Sequence, residues 1–180
     1  MQRGQQVLIN GAAGGVGTFA VQVAKALGAE VTGVQSTRNL ELVRSIGADH
    51  VIDYTSVDFT TLGTRYDVIV DNVGNHSLGQ LLRALTPSGV YVGNTGGTPE
   101  SGLNTRLMVE TLVYKPFISQ KLRSVLARPT RDDIETLANL MENGSVTPVV
   151  DRTYALAETA EALRHLETCR ARGKIVVTVR

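Results

Sequence analysis

The chain has 180 residues, 42% of them apolar and 19% charged, and its formal charge at pH 7 is +1. That length can bury a sizeable core in one α/β domain, and a charge so near zero gives no electrostatic reason to seek nucleic acid. The aromatic residues are scattered without a stacking platform, no apolar run nears the roughly 20 residues that span a bilayer, and no signal-peptide pattern opens the chain, so a cytoplasmic location is expected by default.

Residues 7–9 form a continuous apolar run, as in a strand buried on both faces of a parallel sheet. A glycine-rich turn, Asn10-Gly11-Ala12-Ala13-Gly14-Gly15-Val16-Gly17, follows it. Val16, Phe19, Ala20, Val23, Ala24 and Leu27 then recur at helical spacing, and Gly28 supplies the stop. Further strands are expected at 31–34, 51–52, 68–71 and 90–93, with helices near 40–46 and 78–85 between them. Thr130 and Asp133 have capping-box spacing and open a helix with Ile134, Leu137, Ala138 and Met141 on one face, ending at Asn143-Gly144. The tail reads as a strand over 148–154, a helix over 156–166 with Ala160 and Leu163 apolar, and a strand over 173–179. These tail strands either extend the main sheet or are remnants of a second domain. Short strands alternating with helices imply right-handed crossovers and an α/β fold with a doubly wound parallel sheet.

Strand, glycine turn, helix and second strand in that order suit a dinucleotide. Glycines let backbone N–H groups approach a pyrophosphate, which then lies at the positive end of the helix dipole. A plain tight turn also uses glycine, but the ordered context favours the ligand. A nucleoside triphosphate loop is disfavoured because no lysine precedes Thr18. Gly11, Gly15 and Gly17 also fit the turn of short-chain dehydrogenases, which need a tyrosine with a lysine four residues later; none of the five tyrosines has one.

Cofactor choice is read at the end of the second strand. NAD(H) preference normally needs an acidic residue about 20 residues past the glycines; Gln35 stands there, followed by Ser36-Thr37-Arg38. A neutral amide does not repel a 2′-phosphate, and Ser36 and Arg38 can donate to it, so NADP(H) is the expected cofactor. Capping of the next helix by Ser36 and Thr37 is the structural alternative, and the two roles are compatible.

The turn GAAGGVG, then Val34-Gln35-Ser36-Thr37-Arg38-Asn39, Gly47-Ala48-Asp49-His50-Val51-Ile52-Asp53-Tyr54, Asp71-Asn72-Val73-Gly74 and Arg172-Gly173-Lys174-Ile175-Val176 together resemble the medium-chain dehydrogenase/reductase superfamily. The resemblance is to its quinone oxidoreductase branch rather than to the zinc alcohol dehydrogenases. It implies a Rossmann domain over 1–147 and, over 148–180, a segment that returns to a substrate domain not present in this chain. It also implies an NADPH-dependent reductase whose small-molecule acceptor is a quinone, an enone or a related carbonyl compound. On matching positions, Gly14, Gly15, Val16 and Gly17 would contact the pyrophosphate, and Ser36 and Arg38 the 2′-phosphate, with Leu40 where the family often has a lysine. Tyr54 would pack beside the adenosine phosphate. Asn72, Val73, Gly74, Gly93, Asn94 and Thr95 would flank the nicotinamide and its ribose. A half-buried tyrosine and ordinary turn formation are the structural alternatives for these last two groups. No catalytic residue is assigned. The resemblance further implies a homodimer through an edge strand near Leu112-Val113-Tyr114.

His50, His76 and His165 are isolated from one another and from Cys169, the single cysteine, so neither a metal site nor an internal disulfide is expected. Asp53 and Asp71, at strand ends, are expected to satisfy turn N–H groups. Two functions stay open. The chain is the cofactor-binding portion of an oxidoreductase, weakly active or inactive alone, or it is a standalone NADP(H)-binding or sensing module without turnover.

Overall fold

In the computed structural model, which describes residues 1–94, 114, 118–124, 129–168 and 170–179, the apolar run at 7–9 becomes β1 (Gln6–Asn10) and feeds α1 (Gly17–Ala26) through the glycine turn. Next come β2 (Glu30–Gln35), α2 (Leu40–Ser45), β3 (His50–Asp53), β4 (Tyr66–Asp71), α3 (Leu78–Ala84), β5 (Leu85–Gly93) and β6 (Lys121–Ser124). These six strands form one sheet in the order β3-β2-β1-β4-β5-β6, and every neighbouring pair is parallel. The sheet is therefore doubly wound, and it reverses direction between β1 and β4.

Successive side chains on a strand face opposite sides, so each strand contributes to two cores. On one side Val7, Ile9 and Val31 pack with Val21 and Ala24 of α1 and Val43 of α2. On the other, Leu8, Ile69 and Tyr91 pack with Phe59, Leu81 and Leu85. The approach of α2 to the sheet is close enough to exclude a side chain from β2. A Cβ on Gly33 would lie 2.4 Å from Val43 Cγ1.

Three local readings differ from expectation. β5 begins at Leu85, not near 90, because pairing with β4 carries the strand through Pro87-Ser88-Gly89, with a register shift between Tyr66 and Val68. β6 carries no apolar run, since Leu122 is its one apolar residue. The apolar stripe on α1 is rotated: Gly17, Thr18, Val21, Gln22 and Ala24 are buried, whereas Val16 and Leu27 are exposed. The sheet covers one face of α1 and the tail another, so burial does not follow apolar spacing alone.

α4 (Arg131–Glu142) precedes the tail, which contains β7 (Val150–Ala155), α5 (Thr159–Glu167) and β8 (Lys174–Thr178). Thr130 and Asp133 form the expected capping box, yet Ile134, Leu137 and Met141 stay exposed. β7 and β8 pair in parallel with each other in a separate two-stranded sheet, so they do not extend the main one. On α5 the buried residue is Ala162, while Leu163 and Leu166 point outward. The ribbon below α5 selects that phase.

His165 Nε2 lies 3.1 Å from Asp151 Oδ2 and ties α5 to β7. Burial works to raise the Asp151 pKa, but hydrogen bonds from His165 and the Arg172 N–H outweigh it and hold the carboxyl below its ordinary value. A depressed carboxyl stabilises the fold fully above its unfolded value of about 3.9, and that contribution is lost as pH falls through the lower folded value. Asp151→Asn is therefore expected to flatten the acid limb of the stability curve below about pH 4, as read by urea midpoints across pH. Gly33→Ala is expected to cost about 1–3 kcal/mol through overpacking, as a lowered urea midpoint at unchanged slope.

Candidate cofactor site

Where an open α/β sheet reverses, the carboxyl ends of the two diverging strands leave a crevice. Here those strands are β1 and β4, and their last residues, Asn10 and Asp71, stand opposite each other in register. Asp71 is fully buried. Its Oδ1 accepts from Asn10 Nδ2 at 2.9 Å, Val73 N–H at 3.0 Å and Gly74 N–H at 2.9 Å, and its Oδ2 accepts from the Tyr91 hydroxyl at 3.1 Å. Burial first, and Asp71 second, push the Tyr91 hydroxyl pKa well above its ordinary value. Tyr91 therefore acts as a donor that fixes Asp71. Asn72 and Asn94 continue the network: Asn72 Nδ2 donates to Asn10 O at 3.1 Å, and Asn94 Nδ2 to Asn72 Oδ1 at 2.9 Å.

The glycine turn is held against β2, since Gly11 N–H and Ala12 N–H both donate to Val34 O, at 3.1 and 3.2 Å. Helix α1 then starts in direct contact with the turn. A Cβ on Gly17 would fall 2.1 Å from Gly11 O, so glycine is required there by the fold itself. The first turn of α1 has no side-chain cap and no acidic residue. Thr18 N–H donates to Gly14 O at 3.0 Å, but no side chain neutralises the positive end of the helix dipole beside the crevice.

A cleft of about 650 Å³ runs along this edge. Of the expected site residues, Gly14, Gly15, Val16 and Gly17 line its floor, Ser36, Arg38 and Tyr54 one end, and Asn72, Val73 and Asn94 the other strand ends. Gly74 and Gly93 do not line it: Gly74 spends its N–H on Asp71, and Gly93 is buried at the end of β5. Thr95 lies outside the described residues, as do Leu112 and Val113 of the expected dimer edge. Seven lining residues were not among the expected contacts: Asn10, Gly11, Gln35, Asn39, Asn75, Arg170 and Ala171. Asn10 and Asn75 belong to the strand-end network, Asn10 Nδ2 donating to Asn75 Oδ1 at 3.0 Å, and Asn39 closes the turn after β2 with its N–H on Ser36 O at 2.9 Å, whereas Arg170 and Ala171 arrive from the tail with no local signal.

The cleft is electrostatically one-sided, because no described lining residue is acidic and Arg38 and Arg170 are cationic. Asp53, the last residue of β3, is engaged elsewhere. It accepts from the Thr37 hydroxyl, from the Thr55 hydroxyl at 2.6 Å and from Thr55 N–H at 2.9 Å. Those hydrogen bonds, Thr37's foremost, hold its pKa below the ordinary carboxylate range. Ser36 makes no capping hydrogen bond to the turn that follows it. Val16, Val73 and Tyr54 are exposed apolar groups on the same cleft.

Among the described residues, no three His, Cys, Asp or Glu side chains cluster to hold a metal ion. Each histidine instead stands beside one carboxylate: His50 is 2.8 Å from Glu30, His76 3.2 Å from Asp58 and His165 3.1 Å from Asp151. His50 is exposed, whereas His76 and His165 are largely buried. No helix among the described residues is long and apolar enough to cross a membrane.

The parallel order about β1, the bare turn and the crevice at the reversal define a Rossmann-type dinucleotide-binding protein. The family model described as zinc-binding dehydrogenase matches residues 46–177, and the chain belongs to that family, within the medium-chain dehydrogenase/reductase superfamily. It is 37% identical over 192 residues to the mitochondrial NAD(P)H oxidoreductase RTN4IP1 of Mus musculus, covering 98% of this chain and 48% of the mouse protein. It is 33% identical over 178 residues to the chloroplastic NADPH-dependent alkenal/one oxidoreductase of Arabidopsis thaliana, covering 97% of this chain and 40% of that protein. The solved quinone oxidoreductase from Coxiella burnetii superposes with a TM-score of 0.84 at 29% identity, covering 99% of this chain and 54% of the other. The chain thus spans about half the length of the curated relatives it matches. The relatives named mitochondrial and chloroplastic lend no support to the expected cytoplasmic location. The zinc of the family's description has no ligand set among the described residues.

Replacing Asp71 by asparagine leaves at least one buried donor without an acceptor. Asp71→Asn is expected to cost about 2–3 kcal/mol and Tyr91→Phe about 1–2 kcal/mol, each measured by equilibrium denaturation.

Proposed function

We propose that this chain is the cofactor-binding portion of an NADPH-dependent oxidoreductase that reduces quinones, enones or related carbonyl compounds without zinc. The observation that carries this reading is the continuous cleft that joins a bare glycine turn to Ser36 and Arg38 with no acidic side chain on the way. Bound there, the nicotinamide supplies a hydride to the electrophilic carbon of the acceptor. The chain's own residues bind and orient. Gly14, Gly15, Val16 and Gly17 present backbone to the pyrophosphate, with Arg170 as a cation on the facing wall. Ser36 and Arg38 hold the 2′-phosphate; Gln35 carries no charge to repel it, and the ionised Asp53 lies outside the cleft lining. Tyr54 and Val73 supply apolar surface, while Asn72 and Asn94 orient the nicotinamide ribose by their linked amides.

The acceptor is held by a second domain, and residues 148–180 are the segment that joins it to the dinucleotide-binding unit at 1–147. The uncovered apolar faces of α4 and α5 support that assignment, as does the half-length match to the relatives. Self-association into a homodimer near Leu112–Tyr114 is the assembly the resemblance implies.

Calorimetric titration with both cofactors tests the choice between them. NADPH is expected to bind more tightly than NADH, and Arg38→Ala to weaken NADPH by about ten- to a hundred-fold, the worth of a charge-assisted hydrogen bond, while leaving NADH unchanged. Tighter NADH binding by the unmodified chain would overturn the NADP(H) assignment. NADPH oxidation with a panel of quinones and enones, run on this chain and on any longer form of the gene product, tests the reaction. Turnover by the longer form is expected. Cofactor binding without turnover by either form would instead assign a binding or sensing module.

A further inference from the structure

Gln22 is a polar residue buried in the middle of α1, 8% exposed. Its Nε2 donates to Thr18 O and to Thr147 O, both at 2.9 Å, and its Oε1 accepts from Thr147 N–H at 2.8 Å. An amide side chain offers two donors and acceptor capacity at its oxygen, and here both donors and the oxygen are engaged. Two of the three bonds pair reciprocally with a single backbone residue 125 positions away. A buried amide costs free energy unless it is paired, so this glutamine is specific to a helix that must grip a backbone segment.

The gripped segment is the entry to the tail. Thr147 leads through Pro148 to Val149, whose carbonyl accepts from Lys174 N–H at 2.7 Å, and Gly173 N–H donates to Ala13 O of the glycine turn at 2.9 Å. Gly173 has φ +91, and a Cβ there would lie 2.3 Å from Val149 O, so the two ends of the tail meet with no slack. Immediately before Gly173, Arg170 and Ala171 line the cleft that Gly14 and Gly15 also line. α1 and its turn therefore hold the β7–α5–β8 unit at two points, before β7 through Gln22 at Thr147 and before β8 through Ala13 at Gly173. No ion pair among the described residues links the tail to the main body.

We propose that Gln22 is a positioning residue for the dinucleotide: through Thr147 it sets the tail so that Arg170 and Ala171 close the pyrophosphate end of the cleft. This inference rests on the cofactor reading above. Gln22 itself never meets the ligand. Its effect is confined to the half of the dinucleotide that reaches the tail wall, and the adenosine 2′-phosphate end at Ser36 and Arg38 is independent of it.

Titration calorimetry with NADPH and with adenosine 2′-monophosphate, on the unmodified chain, Gln22→Met, Arg170→Ala and the double variant, separates a positioning role from a structural one. Gln22→Met is expected to weaken NADPH by about five- to ten-fold and to leave adenosine 2′-monophosphate within about two-fold, since one to two net hydrogen bonds are at stake. In the Arg170→Ala background the same substitution is expected to cause little further loss, because the two residues act on one wall. Equal weakening of both ligands, full additivity with Arg170→Ala, or an unchanged NADPH affinity would each overturn the proposal. Should Gln22→Met fail to fold, Gln22→Asn enters the same cycle. It keeps the amide but is one methylene shorter and cannot span to Thr147, so a loss in the same pattern is expected. Failure of the unmodified chain to bind either ligand overturns the cofactor reading and this inference together. Normal binding with a silent Gln22→Met overturns this inference alone.

Discussion

At the reversal of the sheet, a carboxylate with no cationic partner among the described residues sits wholly out of water, and the surrounding architecture is arranged to supply it with donors. Asp71 draws them from the end of β1, from two successive N–H groups after β4 and from a tyrosine on β5. A buried charge tolerates few vacancies, so these three strand ends hold a fixed mutual geometry. The crevice inherits its shape from that requirement. Asn72 and Asn94 are linked side chain to side chain above it, and the chain after β4 turns where Asp71 takes the N–H groups of residues 73 and 74. What looks in sequence like a possible acid or base is the fixed point around which the site is assembled.

The other half of the cleft is defined by what is missing from it. Gly17 lacks a side chain because Gly11 O occupies its place, and α1 begins with no cap and no acidic residue. Asp53, engaged by Thr37 and Thr55, does not line the cleft, and Arg38 faces it with no acidic residue among the described lining. Bare backbone, an open helix terminus and unopposed arginines all favour an anionic ligand, and they do so independently of one another.

The first five strands and the glycine turn were legible because buried parallel strands are written as apolar runs and tight turns as glycine. Ten of the expected site residues fall on one cleft for the same reason, since they sit at the carboxyl ends of those runs. Gly74 and Gly93 stay off that cleft, and a strand-end position does not reveal whether a backbone group is already engaged within the protein. β6 was invisible, since Lys121-Leu122-Arg123-Ser124 has no period of its own and is a strand only through pairing with β5. The phase of α1 and α5 was hidden because each has neighbours on more than one side, or an apolar face that the described residues leave uncovered. Arg170 and Ala171 reach the cleft only through a long return of the chain, which no local pattern encodes.

The parallel pairing of β7 with β8 has a consequence for motion. A two-stranded ribbon is marginal by itself in water, and this one borrows its order from α5 above it and from a few hydrogen bonds to α1 and the glycine turn. Protein segments open in units whose cost follows their own packing. The cleft therefore has walls of unequal local stability: one belongs to a six-stranded sheet and yields only with the whole fold, and the other belongs to the ribbon. Exchange of anything lodged between them is governed by the looser wall, so the lifetime of an occupant is set by the tail rather than by the strands that shape its seat.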